Sequence, residues 1–197
     1  MALRRCFWAN HHPLLEEYHD KEWGTPSHDD RVHLEFLILE AAQAGLSWLT
    51  VLKNREGYRK HFAGFDFERV AQFGETEIRR MLKDPGIIRN ELKIRSAVRN
   101  AKPFMAIRKE FGTFDRYLWN FVEGKPVSNR IRSAKDLVPN SPLSDAVSGD
   151  LKKRGFRFVG TTVIYSHLQA VGVVDDHETG CFRKRAPKLL RRRPAPS

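Results

Sequence analysis

The chain has 197 residues, enough for one domain with a short extension, and 41% of them are hydrophobic, which excludes wholesale disorder. The net charge is +11, but seven basic residues and no acidic one lie between Arg183 and Ser197, so the body carries only +4. No apolar run approaches the roughly 18 residues of a membrane span, no signal-like apolar core opens the chain, and two cysteines are few for a secreted disulfide scaffold, so a soluble cytoplasmic protein is expected.

The pattern is helical throughout. Asp29 and Asp30 cap a predicted helix carrying Val32, Leu34, Phe36, Leu37 and Leu39, and Gly45 suits its C-terminal cap. Ser47 caps a second helix that runs through Trp48, Leu49, Val51 and Leu52 toward Phe62. A third is expected from Glu75 to Lys83, with Ile78, Met81 and Leu82 on one face. Asp84-Pro85-Gly86 is a turn signal, and Asn90 caps the next helix, which Pro103 should kink or end. Further helices are expected over Phe114–Val122, from Ser141-Pro142 to Gly155, and over Thr161–Val171. Residues 123–140 read as a polar loop. The alternating link Phe156-Arg157-Phe158-Val159 is too short to demand a sheet. The domain is expected to span residues 1–182, with residues 183–197 a basic, disordered tail.

Few residues stand out as chemistry. Cys6 and His19 lie near one end, His177 and Cys181 near the other. Two cysteines and two histidines can make one tetrahedral zinc site, and they can also be two unrelated thiols beside ordinary histidines. Four protein ligands would leave no open position, which implies a structural clip rather than a catalytic metal. Glu40 sits late in the first predicted helix with Phe36, Leu37 and Ala44 on its face. It is either near the helix end in water, the simpler reading of the pattern, or buried with a task that raises its pKa. Trp8, Tyr18, Trp23 and Trp48 can sandwich a flipped base, and singly each reads equally as core. Pro85, Gly86, Ile87, Ile88 and Arg89 form a glycine-containing hairpin that can present backbone N–H groups to a phosphate, or an ordinary helix–helix turn. His167, on an apolar face, reads as a satisfied core histidine.

Taken in order, several segments resemble one family. They are Tyr-His-Asp-Lys-Glu-Trp-Gly at 18–24, Glu-Ala-Ala-Gln-Ala-Gly-Leu-Ser-Trp-Leu-Thr-Val-Leu at 40–52 and Pro-Gly-Ile-Ile-Arg at 85–89. Lys-Lys-Arg-Gly-Phe-Arg-Phe-Val-Gly-Thr-Thr at 152–162 continues the series, and Asp176-His177 with Gly180-Cys181 closes it. The family is DNA-3-methyladenine glycosylase I, of the helix-hairpin-helix glycosylase superfamily. The resemblance covers about residues 4–182.

The resemblance implies an all-α, two-lobed helix-hairpin-helix glycosylase fold with a base pocket between the lobes. It also implies a structural Zn2+ on Cys6, His19, His177 and Cys181 that joins the termini. It makes Glu40 the recognition residue for alkylated adenine, with Tyr18, a stacking Trp48, and Trp8 and Trp23 as further pocket aromatics. The turn Pro85–Ile88, followed by Arg89, becomes the DNA-binding hairpin. The implied activity is hydrolytic release of 3-methyladenine from alkylated double-stranded DNA by a monomeric bacterial cytoplasmic enzyme, leaving an abasic site without strand cleavage. A non-catalytic, zinc-stabilised module that binds alkylated or abasic DNA is the alternative. The sequence departs from the family pattern at Leu15, where an aromatic is expected, at Ala41 and Ala42 beside the glutamate, and at Phe7, where glycine is common.

Overall fold

A computed structural model describes residues 3–184. A short 3-10 helix, Phe7–His11, leads into α1 (Pro13–Lys21). Pro13 occupies its first turn, and the His12 ring accepts from the backbone N–H of Leu14 at 3.0 Å. This N-terminal helix has no counterpart in the sequence reading. Asp29 caps α2 (Asp30–Gln43) as expected, and Gly45 follows that helix.

The second predicted helix is broken. It forms α3 (Trp48–Lys53), capped by Ser47, and α4 (Arg55–His61). The break falls at Asn54, whose side-chain amide donates to the Thr50 carbonyl at 2.8 Å and takes the place of the continuing ladder. A second 3-10 turn, Ala63–Phe65, and a one-turn helix, α5 (Phe67–Val70), follow. α6 (Glu75–Lys83) has its predicted bounds.

α7 (Glu91–Phe111) starts at its Asn90 cap but runs straight through Pro103. The carbonyl that loses its partner belongs to Arg99, on the exposed face, while buried Ala101, Phe104 and Ile107 hold the far side in the core. α8 (Phe114–Asn120) is anchored by Asp30, whose carboxylate accepts from the N–H groups of Phe114 and Asp115 at 3.1 and 2.9 Å.

The polar stretch 123–140 is not wholly irregular. It contributes β1 (Val127–Ser128), which pairs in parallel with β2 (Val174–Asp175), in register Val127 to Val174. α9 (Pro142–Lys153) and α10 (Thr161–Ala170) complete the chain. The link between them stays out of any strand because Asn100 of α7 binds both backbone groups of Arg157, each at 2.8 Å.

The core is mostly helix on helix, with α2 buried along nearly its whole length and packed against α7, α8 and α10. Arg55 ties three elements together. Its guanidinium donates to both carboxylate oxygens of Glu22 and to Glu35, each at 2.7 Å, and so fixes the end of α1 against α2 and α4. Among the described residues no helix is long and apolar enough to cross a membrane. Arg183 and Lys184 rest against the body, with the Lys184 ammonium donating to the Asn129 and Asp175 carbonyls at 2.6 and 3.0 Å. The rest of the expected tail lies outside the described residues.

Candidate base cavity and metal cluster

Two sites meet at α1, because adjacent helical residues point about 100° apart. Tyr18 turns toward α2 and α3, and His19 turns toward the chain's C-terminal segment.

On the Tyr18 side lies a cavity of about 380 Å³. Trp8, Tyr18, Trp23, Glu40 and Trp48 all line it, which brings together the five residues that the sequence singles out for a base. The rings form a continuous wall. Tyr18 and Trp48 have centroids 5.1 Å apart, and Trp8 meets Trp23 edge-on at 5.0 Å.

Glu40 is only 4% exposed, so the exposed reading of its helix position does not hold. Its neighbours Leu37, Ile38, Leu39, Ala41 and Ala42 are themselves buried, and exposure begins only at Ala44, past the last turn of α2. No donor or cation among the described residues offsets that burial, which pushes its carboxyl up to about 8. Burial, reinforced by the charge of Glu40, likewise pushes the Tyr18 phenol well above its ordinary value. The indole N–H of Trp48 is buried without a partner among the described residues. The site is therefore an aromatic box with one carboxyl that would ionise readily only opposite a cation.

Leu15 and Phe7, two of the departures from the family pattern, line the same cavity, whereas Ala41 and Ala42 pack into the core. Sequence reasoning missed Gln43, Ser47, Leu49, Leu137, Ser166 and Gln169, which also line it. Gln43 stands three residues after Glu40, and Ser166 and Gln169 share one face of α10, so helical spacing could have found these three. Leu137 comes from the polar loop, where no local pattern marks it.

On the His19 side, Cys6, His19, His177 and Cys181 are all buried, and their ligand atoms lie within 4.8 Å of one another. The Cys6 sulfur is 3.5 Å from Nδ1 of His177, and the Cys181 sulfur is 3.3 Å from Nε2 of His19 and 3.6 Å from Nδ1 of His177. A tetrahedral thiolate–imidazole zinc site has sulfur–nitrogen edges of about 3.5 Å, given its bond lengths. The donor set fits a metal in chemistry and in size.

The surroundings orient each ligand. The remaining ring nitrogen of His19 faces the Asp20 carboxylate at 2.8 Å, and that of His177 donates to the Trp23 carbonyl at 3.1 Å. The Cys6 sulfur accepts from the Glu178 N–H and the Cys181 sulfur from the Arg183 N–H, at 3.3 and 3.4 Å. Gly24 is required here, since a Cβ at its φ of 71° would come within 2.7 Å of the His177 ring. Burial pushes the Cys6 thiol up and His177 down to about 4, which keeps both neutral until a dication claims them.

The hairpin residues form a separate surface between α6 and α7 and do not line the cavity. Ile87 is buried and Ile88 half-buried, while Pro85, Gly86 and Arg89 are exposed. The Asp84 carboxylate accepts from the Gly86 N–H at 2.7 Å and from the His61 ring at 2.8 Å. Gly57 of α4 leaves room for the turn, because a Cβ there would lie 1.8 Å from the Gly86 carbonyl oxygen. His167 is buried as expected but not satisfied, since neither ring nitrogen has a partner among the described residues.

Residues 8–184 match the family described as methyladenine glycosylase. The chain is 42% identical over 179 residues to DNA-3-methyladenine glycosylase 1 of Escherichia coli, an alignment that covers 91% of this chain and 96% of that protein. Its fold superposes with a TM-score of 0.89 on a crystal structure of 3-methyladenine DNA glycosylase I, which is 45% identical over 92% of this chain and all of the other. It superposes equally well, at 34% identity and over 92% of this chain and 98% of the other, on a variant of such an enzyme solved in complex with 3-methyladenine. The chain belongs to the methyladenine glycosylase family.

Proposed function

We propose that this chain hydrolyses the N-glycosidic bond of 3-methyladenine in alkylated double-stranded DNA and releases the free base. The observation that carries this reading is the aromatic cavity with Glu40 buried in it and no cation among the described residues beside it. The cavity is large enough for one purine, and its chemistry asks for a planar cation. Methylation at the ring nitrogen near the sugar makes adenine such a cation and also a good leaving group. The flipped base stacks on Trp48, where cation–π attraction favours the charged ring over neutral adenine. Glu40 accepts from the edge that carries the exocyclic amine, and Tyr18 orients the ring. As the bond between the sugar carbon and the base breaks, its electron pair leaves with the base. Water adds to the sugar carbon and gives up a proton to solvent, leaving an abasic site. Glu40 recognises first and acts electrostatically second, so no residue is assigned as a general base. No lysine among the cavity residues is placed to form a Schiff base, and strand cleavage is not expected.

Cys6, His19, His177 and Cys181 hold one Zn2+ in this reading. When bound, the ion supplies folding energy rather than chemistry, because four protein ligands close its coordination. The turn at Pro85, Gly86, Ile87, Ile88 and Arg89, between α6 and α7, serves as the hairpin that grips the DNA backbone. Its exposed Arg89 offers a cation beside a turn held rigid by buried Ile87 and by the Gly86 N–H on the Asp84 carboxylate. The catalytic unit is residues 1–182, acting as a monomer in the bacterial cytoplasm.

Release of free bases from methylated duplex DNA, resolved by chromatography, tests the reading when the intact protein runs beside Trp48→Ala. Stacking of one base is worth about 1–3 kcal/mol, so the variant should release 3-methyladenine about 5- to 150-fold more slowly. No release by folded, zinc-loaded protein would leave a damage-binding module in place of an enzyme. Base release accompanied by strand nicking that borohydride traps would refute the monofunctional assignment.

A further inference from the structure

We infer that Gln169 supplies a second hydrogen-bond acceptor to the methylated base, alongside Glu40; this rests on the function proposed above. Gln169 lines the same cavity from α10, half-buried, one turn after Ser166. Its side-chain amide is fixed at one end, with Nε2 donating to Oδ2 of Asp176 at 2.7 Å. Asp176 is 2% exposed and also accepts from the Tyr165 hydroxyl at 2.7 Å and from the Asn129 amide at 2.8 Å. A carboxylate ringed by three donors can only accept, so the amide of Gln169 cannot turn over. The backbone is held as well, since the Gln169 carbonyl accepts from the Gly24 N–H at 2.9 Å, beside Trp23.

What remains free is Oε1, the one hydrogen-bonding atom of the side chain not engaged with the fold. The carboxylate at the other end of the amide pushes electron density toward that oxygen and strengthens it as an acceptor. A fixed, electron-rich carbonyl oxygen in the wall of an aromatic box favours a cationic ring with N–H donors and disfavours bases that present an acceptor there. Gln169 therefore sharpens selection for the charged lesion while Glu40 supplies the full opposite charge. A purely structural Gln169 would need only the Asp176 contact and would gain nothing from lining the cavity.

Gln169→Leu, of nearly the same volume, removes the acceptor. Its single-turnover release of 3-methyladenine from methylated DNA and its affinity for the free base should each fall about tenfold relative to the unmodified protein. Loss of the donor to buried Asp176 should lower the melting temperature by a few degrees, while affinity for undamaged DNA should stay unchanged. Undiminished release by the variant overturns the inference and leaves the proposed function standing, whereas no release by the unmodified protein overturns both. A loss shared equally by affinity for undamaged DNA assigns Gln169 to structure alone and also overturns the inference. Should the variant not fold, a crystal structure of the unmodified protein with 3-methyladenine decides: Oε1 within 3.5 Å of a base nitrogen is required, and a greater separation refutes it.

Discussion

The base cavity and the Cys/His cluster share α1 and a wall of aromatic rings, yet they treat their polar atoms in opposite ways. In the cluster each ligating side chain has an oriented partner: Asp20 for His19, the Trp23 carbonyl for His177, and backbone N–H groups for both sulfurs. In the cavity, Glu40 and the Trp48 N–H are buried without partners among the described residues. A permanent guest is prepared for by fixing every donor atom in advance. A transient cationic guest is prepared for by leaving a buried carboxyl protonated and unpartnered, so that only a cation draws out its charge. The two regions should then respond to mutation in opposite senses, one through stability and the other through recognition.

Breaking the cluster should give the largest effect. Cys181→Ser, or prolonged chelation, removes a link that joins residue 6 to residue 181 and leaves buried imidazoles with nothing to bind. A loss of several kcal/mol is expected, which lowers the melting temperature of a domain this size by about 10 °C or more. Scanning calorimetry with metal analysis reads both. A metal-free protein with an unchanged melting temperature would reduce the cluster to two buried thiols beside two histidines.

Glu40→Gln should act in the other direction on stability. The Glu40 carboxyl stands at about 8 in the folded chain against an ordinary value of 4.5. Between those two pH values the folded chain holds a proton that the unfolded chain has released, so stability falls as pH rises through the window. Glutamine has no such dependence. Glu40→Gln should match the parent near pH 4 and exceed it by up to about 4 kcal/mol near pH 8, while its base release collapses. Denaturant titration at several pH values checks this, and a parallel pH dependence in the two proteins would mean that Glu40 is not the group whose proton the folded chain holds. For the same reason, kcat/KM of the parent should rise with pH up to about 8, and the rise should vanish in the variant.

How much of this was legible in the sequence follows the same division. Caps and turns are local, so the starts of α2, α3, α7 and α9 and the bounds of α6 were readable from Asp29, Ser47, Asn90, Ser141 and the Asp84-Pro85-Gly86 turn. Pro103 misled because what keeps its helix whole is core packing, which no local rule contains. The break at Asn54 and the idle strand pattern at Arg157 were also set by specific side-chain bonds, one to a carbonyl a turn away and one to Asn100 across the molecule. The five cavity residues and the four cluster residues were found by residue type and motif, because aromatic rings, thiols and imidazoles are chemically conspicuous. The burial of Glu40 was not legible, because it depends on which elements close over the end of α2. Neither was Leu137, which reaches the cavity from a loop.

The smallest predicted effect separates a third region from the other two. The hairpin lies outside the cavity wall, and its exposed Arg89 has neither a cluster ligand nor a cavity residue to support. If Arg89 pairs with a DNA phosphate, Arg89→Ala removes one displaced counterion, and the slope of log affinity against log salt should fall by about 0.9. The loss should be the same for methylated and undamaged duplexes, because a phosphate contact carries no base information. Affinity for free 3-methyladenine and the melting temperature should not move. Binding titrations at several salt concentrations measure the slope. An unchanged slope would make the hairpin an ordinary helix–helix turn and move the DNA-gripping surface to another face of the protein. A slope that fell together with free-base affinity would instead show that the hairpin and the cavity are mechanically coupled through α7 and α2, and the separation of the two sites drawn from their geometry would be wrong.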